Sequence, residues 1–271
     1  MTDKHSGSDT GSNPALAQGV DDEVIEGNRR LFTGAFWVVV ALVTGGYAAF
    51  HLFSLNVYPL ETWSFRIVHI AGALVIGFAL YAGRDFGDDE ALSPRPVRWV
   101  SLLLGAAALY SLGQAVAFWQ AFAGGAMRME PARELWHFGI PLLIATAGSI
   151  LLSWLATGRR HRITAPDVVL MLCTITVAAY LLVIYNTQLR MSTGTPFAPI
   201  GISLAAMAGT ALIMELTRRV TGLALITISA VFLVYVFAGP YLPGFLGYPG
   251  LSMNRFFSQV YTDAGILGPT T

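Results

Sequence analysis

The sequence predicts an all-α fold, a polytopic integral membrane helix bundle of about seven transmembrane helices with a C-terminal interfacial amphipathic helix. Three observations carry this expectation. Of 271 residues, 55% are hydrophobic and only 12% charged, and the mean hydropathy of +0.60 is far from that of an ordinary soluble domain. The apolar residues gather into runs near the roughly 20 residues that cross a hydrocarbon layer. Charged or Gly/Pro-rich segments separate the runs.

Residues 1–28 are rich in Ser, Gly and Asp and poor in apolar side chains, so they read as a disordered tail. They do not form a signal peptide, because the first apolar run begins only at Leu31 and is long enough to span. Spans are expected at 31–55, 65–82, 97–122, 135–156, 168–189, 200–216 and 223–237. Trp63, Trp99 and Trp136 open spans and Trp119 and Trp154 close them, as indoles do at headgroup level. The segment 84–98, with Asp85, Asp88, Asp89, Glu90, Pro94 and Pro96, is an aqueous connection.

The last two spans are separated on energetic grounds. A single helix over 200–239 would place Arg218 and Arg219 near the bilayer centre, at roughly 2.5–3.5 kcal/mol each. The pair therefore marks a membrane surface, and Gly222 opens the helix there. Glu215 lies three and four residues from the two arginines, the spacing of a solvated pair on one helix face. Gly239, Pro240 and Pro243 stop the seventh span. Beyond them, residues 251–271 form the amphipathic helix. Ser252 is its N-cap. Met253, Phe256, Phe257, Val260 and Tyr261 share one face, while Asn254, Arg255, Ser258, Gln259 and Thr262 share the other. Gly265 provides the stop.

Lys4 and ten arginines (29, 30, 84, 95, 98, 159, 160, 162, 218 and 219) fall on one side of this arrangement, against Arg66, Arg128, Arg133, Arg190 and Arg255 on the other. The asymmetry makes the amino terminus cytoplasmic and the carboxyl terminus external.

Composition excludes several functions. With a formal net charge of zero and no basic block, the chain has no electrostatic footprint for nucleic acid. Its one cysteine, Cys173, lies in an apolar span and forms no disulfide within the chain. The middles of the spans carry no Asp or Glu, Asp167 and Glu215 being at span ends, which argues against a self-contained proton pump. Its one lysine, Lys4, is in the tail, which excludes a Schiff-base retinal protein. No nucleophile, base or metal constellation marks an enzyme. His51 and His137 read as isolated interfacial histidines without ligand spacing. Arg66 and His69, one turn apart, read as a snorkelling arginine and a hydrogen-bonded histidine, or as a contact to headgroups or a partner helix. Glycines such as Gly45, Gly46, Gly72, Gly77, Gly113 and Gly201 lie within spans, where small residues allow close helix approach.

A resemblance adds to this reading. The strings LTRRVTG, FLVYVFAGPYLPGFL and GLSMNRFFSQVYTDAGILGP resemble the fused membrane components of TRAP transporters, particularly those that work with TAXI-type binding proteins. The matching residues are Glu215, Thr217, Arg218, Arg219, Gly222, Tyr235, Gly239, Leu242, Pro243, Gly244, Gly265, Ile266 and Gly268, within a similar stretch of 166–269. The resemblance implies a Q-type scaffold over 29–222, with 97–156 an extra helix pair, followed over 223–271 by the start of an M-type region, truncated relative to the family. It implies a scaffold subunit in a bacterial inner membrane, partnered by a large M-type subunit and a periplasmic TAXI-like solute-binding protein, in sodium-coupled uptake of organic acids. No cofactor is implied for this chain, since sodium coupling would belong to the partner. The alternative is a membrane adaptor or orphan fragment without transport activity. For the terminal helix, the resemblance sets docking of the large subunit through Phe256 and Phe257 beside plain anchoring in lipid.

Overall fold

A computed structural model describes residues 27–86, 93–126, 129–185, 199–260 and 265–266. Most of the tail, Asp88, Asp89 and Glu90 of the acidic connection, Tyr261, Thr262 and Gly268 lie outside the described residues. Seven helices are long and apolar enough to span a membrane, and no strand occurs among the described residues. They are α1 (Gly34–Asn56), α2 (Thr62–Leu80), α3 (Arg95–Ala123), α4 (Pro131–Leu155), α5 (Ala165–Ile184), α6 (Ile200–Thr221) and α7 (Leu223–Ala238). A short α8 (Met253–Val260) follows two 3₁₀ turns.

The centre of the bundle is α5, which packs on α2, α3, α4 and α6. Its sequence is apolar on every side, the pattern of a helix surrounded by others. Thr174 and Thr176 are tolerated there because their hydroxyls donate to the carbonyls of Leu170 and Leu172, at 2.9 Å each. Burial falls outwards, from 56% of the α5 and α6 spans to 6% of α1 and α7. The outermost helices are thus nearly uniform apolar surfaces that only lipid or another apolar body can cover.

Three elements depart from expectation. Helix α6 continues five residues past Leu216, to Thr221, because the arginines at its end have partners inside the protein. Gly222 then breaks it as expected, with φ of +78°. Helix α4 opens as a π-helical turn over Glu134–Gly139 before becoming regular. Pro141 explains the widened turn, since it has no N–H to give to the carbonyl four residues back. The terminal helix is formed, and Ser252 caps it as expected, accepting from the N–H of Arg255 at 3.3 Å. Its apolar face is turned into the protein: Phe257 is 6% exposed, and Phe256 and Phe257 both pack on Phe237 of α7. Ser258, assigned by sequence to the polar face, is also buried. Of the apolar face, Phe257 is thus covered by the chain itself, while Phe256 is half-buried and Met253 stays 54% exposed. Gly265 is not left-handed; positive φ occurs instead at Gly34, Gly125, Gly222, Gly244 and Gly250 among the described residues.

Candidate functional site

At one end of the bundle Arg30, Asp167, Glu215, Arg218 and Arg219 form a single, largely buried network. Asp167 stands in the first turn of α5 and Arg218 and Arg219 in the last turn of α6, each placed where the helix dipole favours its charge. Arg219 donates from Nη1 to Asp167 Oδ1 at 2.8 Å and from Nε to Glu215 Oε1 at 2.8 Å. Arg30, just before α1, pairs with the other oxygen of Asp167. Arg218 closes on Glu215 through Nε at 2.8 Å and Nη2 at 2.9 Å. Ser153 and Trp154 of α4 also donate to Glu215, and Thr164 to Asp167 at 2.6 Å.

The arginines also fasten the end of α2. Arg30 Nη1 donates to the carbonyls of Phe78 and Ala79 at 2.8 and 3.0 Å, Arg219 Nη1 to that of Tyr81 at 2.9 Å, and Arg218 Nη2 to that of Gly83 at 2.6 Å. These carbonyls are among the last four of a helix or just beyond it, which have no partner within the helix. The strap before α1 is held in turn, with an antiparallel bridge between Arg29 and Tyr81 and Asn28 donating to the carbonyl of Arg219 at 2.8 Å. Burial pushes the Arg30 guanidinium below its usual value, while Asp167 opposes the shift.

Three guanidinium groups face two carboxylates here, so one positive charge is in excess. Phe78 and Trp154 offer ring faces to Arg219 and Arg218 at 4.9 and 5.4 Å. Both carboxylates of the network are paired with arginine, and together these bonds lock α2, α4, α5, α6 and the strap into one plate. A cavity of about 320 Å³ opens beside it, lined by Gly83, Arg84, Asp85, Ser153, Gly158 and Thr164 among others.

The sequence-derived site residues divide between the two ends of the bundle. Glu215, Arg218 and Arg219 belong to the plate; Thr217 beside them bonds only its own helix, at the carbonyl of Ile213. Tyr235, Gly239, Leu242, Pro243 and Gly244 lie at the far end of α7. There the Tyr235 hydroxyl donates to the Leu246 carbonyl at 3.0 Å, and a Cβ on Gly239 would stand 2.0 Å from the Tyr248 ring. Gly244 holds φ of +64°, which explains that glycine. Gly265 and Ile266 follow α8, where the Ile266 N–H reaches the Val260 carbonyl.

The pair expected to be solvated is thus a buried, shared cluster, because Asp167 and Arg30 complete it. Sequence spacing within α6 carried no sign of partners 52 and 189 residues away, although the arginine asymmetry already put Arg30, Arg219 and the start of α5 on one side. A third buried carboxylate, at the opposite end, was missed. Glu134 is 2% exposed, and it accepts from the Tyr180 hydroxyl at 3.1 Å and from the Gly201 N–H, in the first turn of α6, at 3.4 Å. Nor are the histidines isolated: His51 lies against His69, and His137 against the Tyr110 hydroxyl at 2.6 Å. Compared with known proteins, the chain matches no family model, no curated protein and no solved structure.

Proposed function

We propose that the chain is a membrane scaffold subunit of a TRAP-type secondary transporter, depending on a separate large M-type subunit for transport and on a periplasmic TAXI-like binding protein for substrate delivery. The observation that carries this reading is the plate. The residues by which the chain resembles the family on α6, Glu215, Arg218 and Arg219, are committed to holding four helices together. Both acidic members of the cluster are neutralised by arginine, which suits a static frame and leaves neither free to bind a transported cation. The nearly unburied faces of α1 and α7 provide apolar area for lipid and for a partner helix.

The frame sits in a bacterial inner membrane with its arginine-rich end in the cytoplasm, as the arginine asymmetry requires. The test is assembly. Co-expressed with an M-type large subunit from the same genome, the chain should purify as a stoichiometric complex whose mass is the sum of both chains. Arg219→Gln should lower the yield of the complex and the stability of the chain together. A chain that remains alone in mild detergent beside a folded large subunit would favour the adaptor reading instead.

A further inference from the structure

Where α1 meets α2, three side chains bring more lone pairs together than hydrogens can serve. Nδ1 of His51 lies 2.7 Å from the carbonyl oxygen of Tyr47, one turn back on α1. A carbonyl only accepts, so this nitrogen carries the hydrogen and Nε2 of the neutral ring carries the lone pair. That Nε2 faces Nδ1 of His69 on α2 at 2.7 Å. The hydrogen between them therefore belongs to His69. The Tyr47 hydroxyl is 2.6 Å from the His69 carbonyl, which takes its hydrogen, and its oxygen is also 2.9 Å from the same Nδ1. One N–H thus faces two lone pairs, from His51 and from Tyr47.

We infer that Nε2 of His51, Nδ1 of His69 and the phenol oxygen of Tyr47 form a site for a divalent metal ion with a preference for imidazole, copper(II) or zinc(II). The ion takes the place of the shared hydrogen: His69 gives that proton up from Nδ1 and takes one up at Nε2, so the ring stays neutral, and three lone pairs then converge on one centre. Among the described residues no three His, Cys, Asp or Glu side chains are grouped so as to hold a metal ion, so this is a two-imidazole and phenol set with water completing the coordination. At metal–nitrogen distances of about 2.0–2.1 Å, two imidazole nitrogens on a tetrahedral ion stand about 3.3 Å apart. The present 2.7 Å separation opens to that by a small rotation of the rings.

The surroundings are those of a held ligand set. His51 donates its other ring N–H to a backbone carbonyl, the outer contact that fixes tautomer and orientation in metal-ligating histidines. Phe50 and Phe65 pack against the His51 ring, and Phe65 also stacks on His69, which flanks the half-buried set with apolar surface. Gly72 makes room for the tyrosine, since a Cβ there would stand 2.3 Å from the Tyr47 ring. His51 is five residues from the end of α1 and His69 seven from the start of α2. At 1.5 Å per residue both lie roughly 7–11 Å below the α1–α2 connection, within reach of the aqueous surface. Two imidazoles with an oxygen donor match copper(II) and zinc(II), copper binding more tightly in the usual order of affinities.

The test uses the full chain in detergent, stripped with a chelator and titrated with copper(II) and, separately, zinc(II). Copper should give an electron paramagnetic resonance spectrum with hyperfine structure from two nitrogens, and either metal should raise the melting temperature. A variant with His5, His137 and His161 all changed to Ala should keep both effects. His51→Gln and His69→Gln should each weaken binding by more than about tenfold, at least the loss that outer-shell partners of metal ligands cause. Native-like binding by either glutamine variant, or no two-nitrogen signal from the native chain, overturns the site and leaves a hydrogen-bonded helix contact. If the glutamine variants lose helical circular dichroism, Tyr47→Phe decides, because it keeps the ring against Gly72 and removes only the oxygen. Unchanged copper affinity in that variant also overturns the assignment, and none of these outcomes depends on the scaffold reading.

Discussion

Asp167 shows what a single residue does in this molecule. One carboxylate serves Arg30 and Arg219, both with fully buried guanidinium groups. Removing its charge leaves two buried cations short of a partner, and breaking a buried pair in this way costs about 3–5 kcal/mol. Asp167→Asn should therefore lower the unfolding free energy of the chain in micelles by that amount, read as a lower denaturant midpoint. Thr217→Ala, beside the same cluster but bonded only within its own helix, should stay within about 0.5 kcal/mol of the native chain. Equal midpoints for the two variants would contradict the network. Gly244→Ala should cost about 1–2 kcal/mol in the same measurement, because φ of +64° is strained for any residue with a Cβ. Local spacing made the pairing of Glu215 with the two arginines legible in the sequence. Asp167, Arg30 and Glu134 were not, because their partners are brought close only by the packing of several helices.

At the level of elements, the spans were read well wherever length and apolar content decide. The seven expected runs coincide with α1 to α7, since crossing lipid leaves a hydrophobic run few alternatives to a helix. The reading failed where an end is set by a partner. Helix α6 outruns its expected limit because Arg218 and Arg219 are satisfied inside the plate, and the π turn of α4 follows from Pro141 and the close approach of α6, where a Cβ on Gly139 would stand 2.1 Å from Leu204. The glycines divide in the same way. Gly72, Gly77 and Gly201 are needed by Tyr47, Leu216 and Tyr180, whereas Gly45, Gly46 and Gly113 face open space. Helix α8 illustrates how a correct amphipathic pattern leaves the identity of the covering surface undecided. Its Phe257 lies in the chain's own core, and Asn254 Oδ1 accepts from the Ser203 hydroxyl of α6 at 2.6 Å. Phe257→Ala should release this helix, with its amides exchanging hydrogen at the rate of an open segment while those of α5 stay protected. Protected α8 amides in that variant would show that its apolar face is held by something other than Phe257.

The whole molecule is a graded bundle, most buried at α5 and α6 and least at α1 and α7, with a charged plate at one end and Glu134 holding α4, α5 and α6 at the other. Contacts of the charged residues at the end of α6, at the start of α5 and just before α1 with one another and with the ends of α2 and α4 put these groups on one side of the bundle. A cytoplasmic location for that side is the topological prediction. Alkaline phosphatase fused after Arg162 should be inactive and, fused after Thr271, active; the reverse result would invert the orientation. Function is tested most directly by transport in proteoliposomes that contain the chain alone, and then the chain with an M-type large subunit and its binding protein, under an inward sodium gradient and a panel of organic acids. The scaffold account predicts sodium-dependent uptake only in the complete assembly, and sodium-dependent uptake by this chain alone would contradict it.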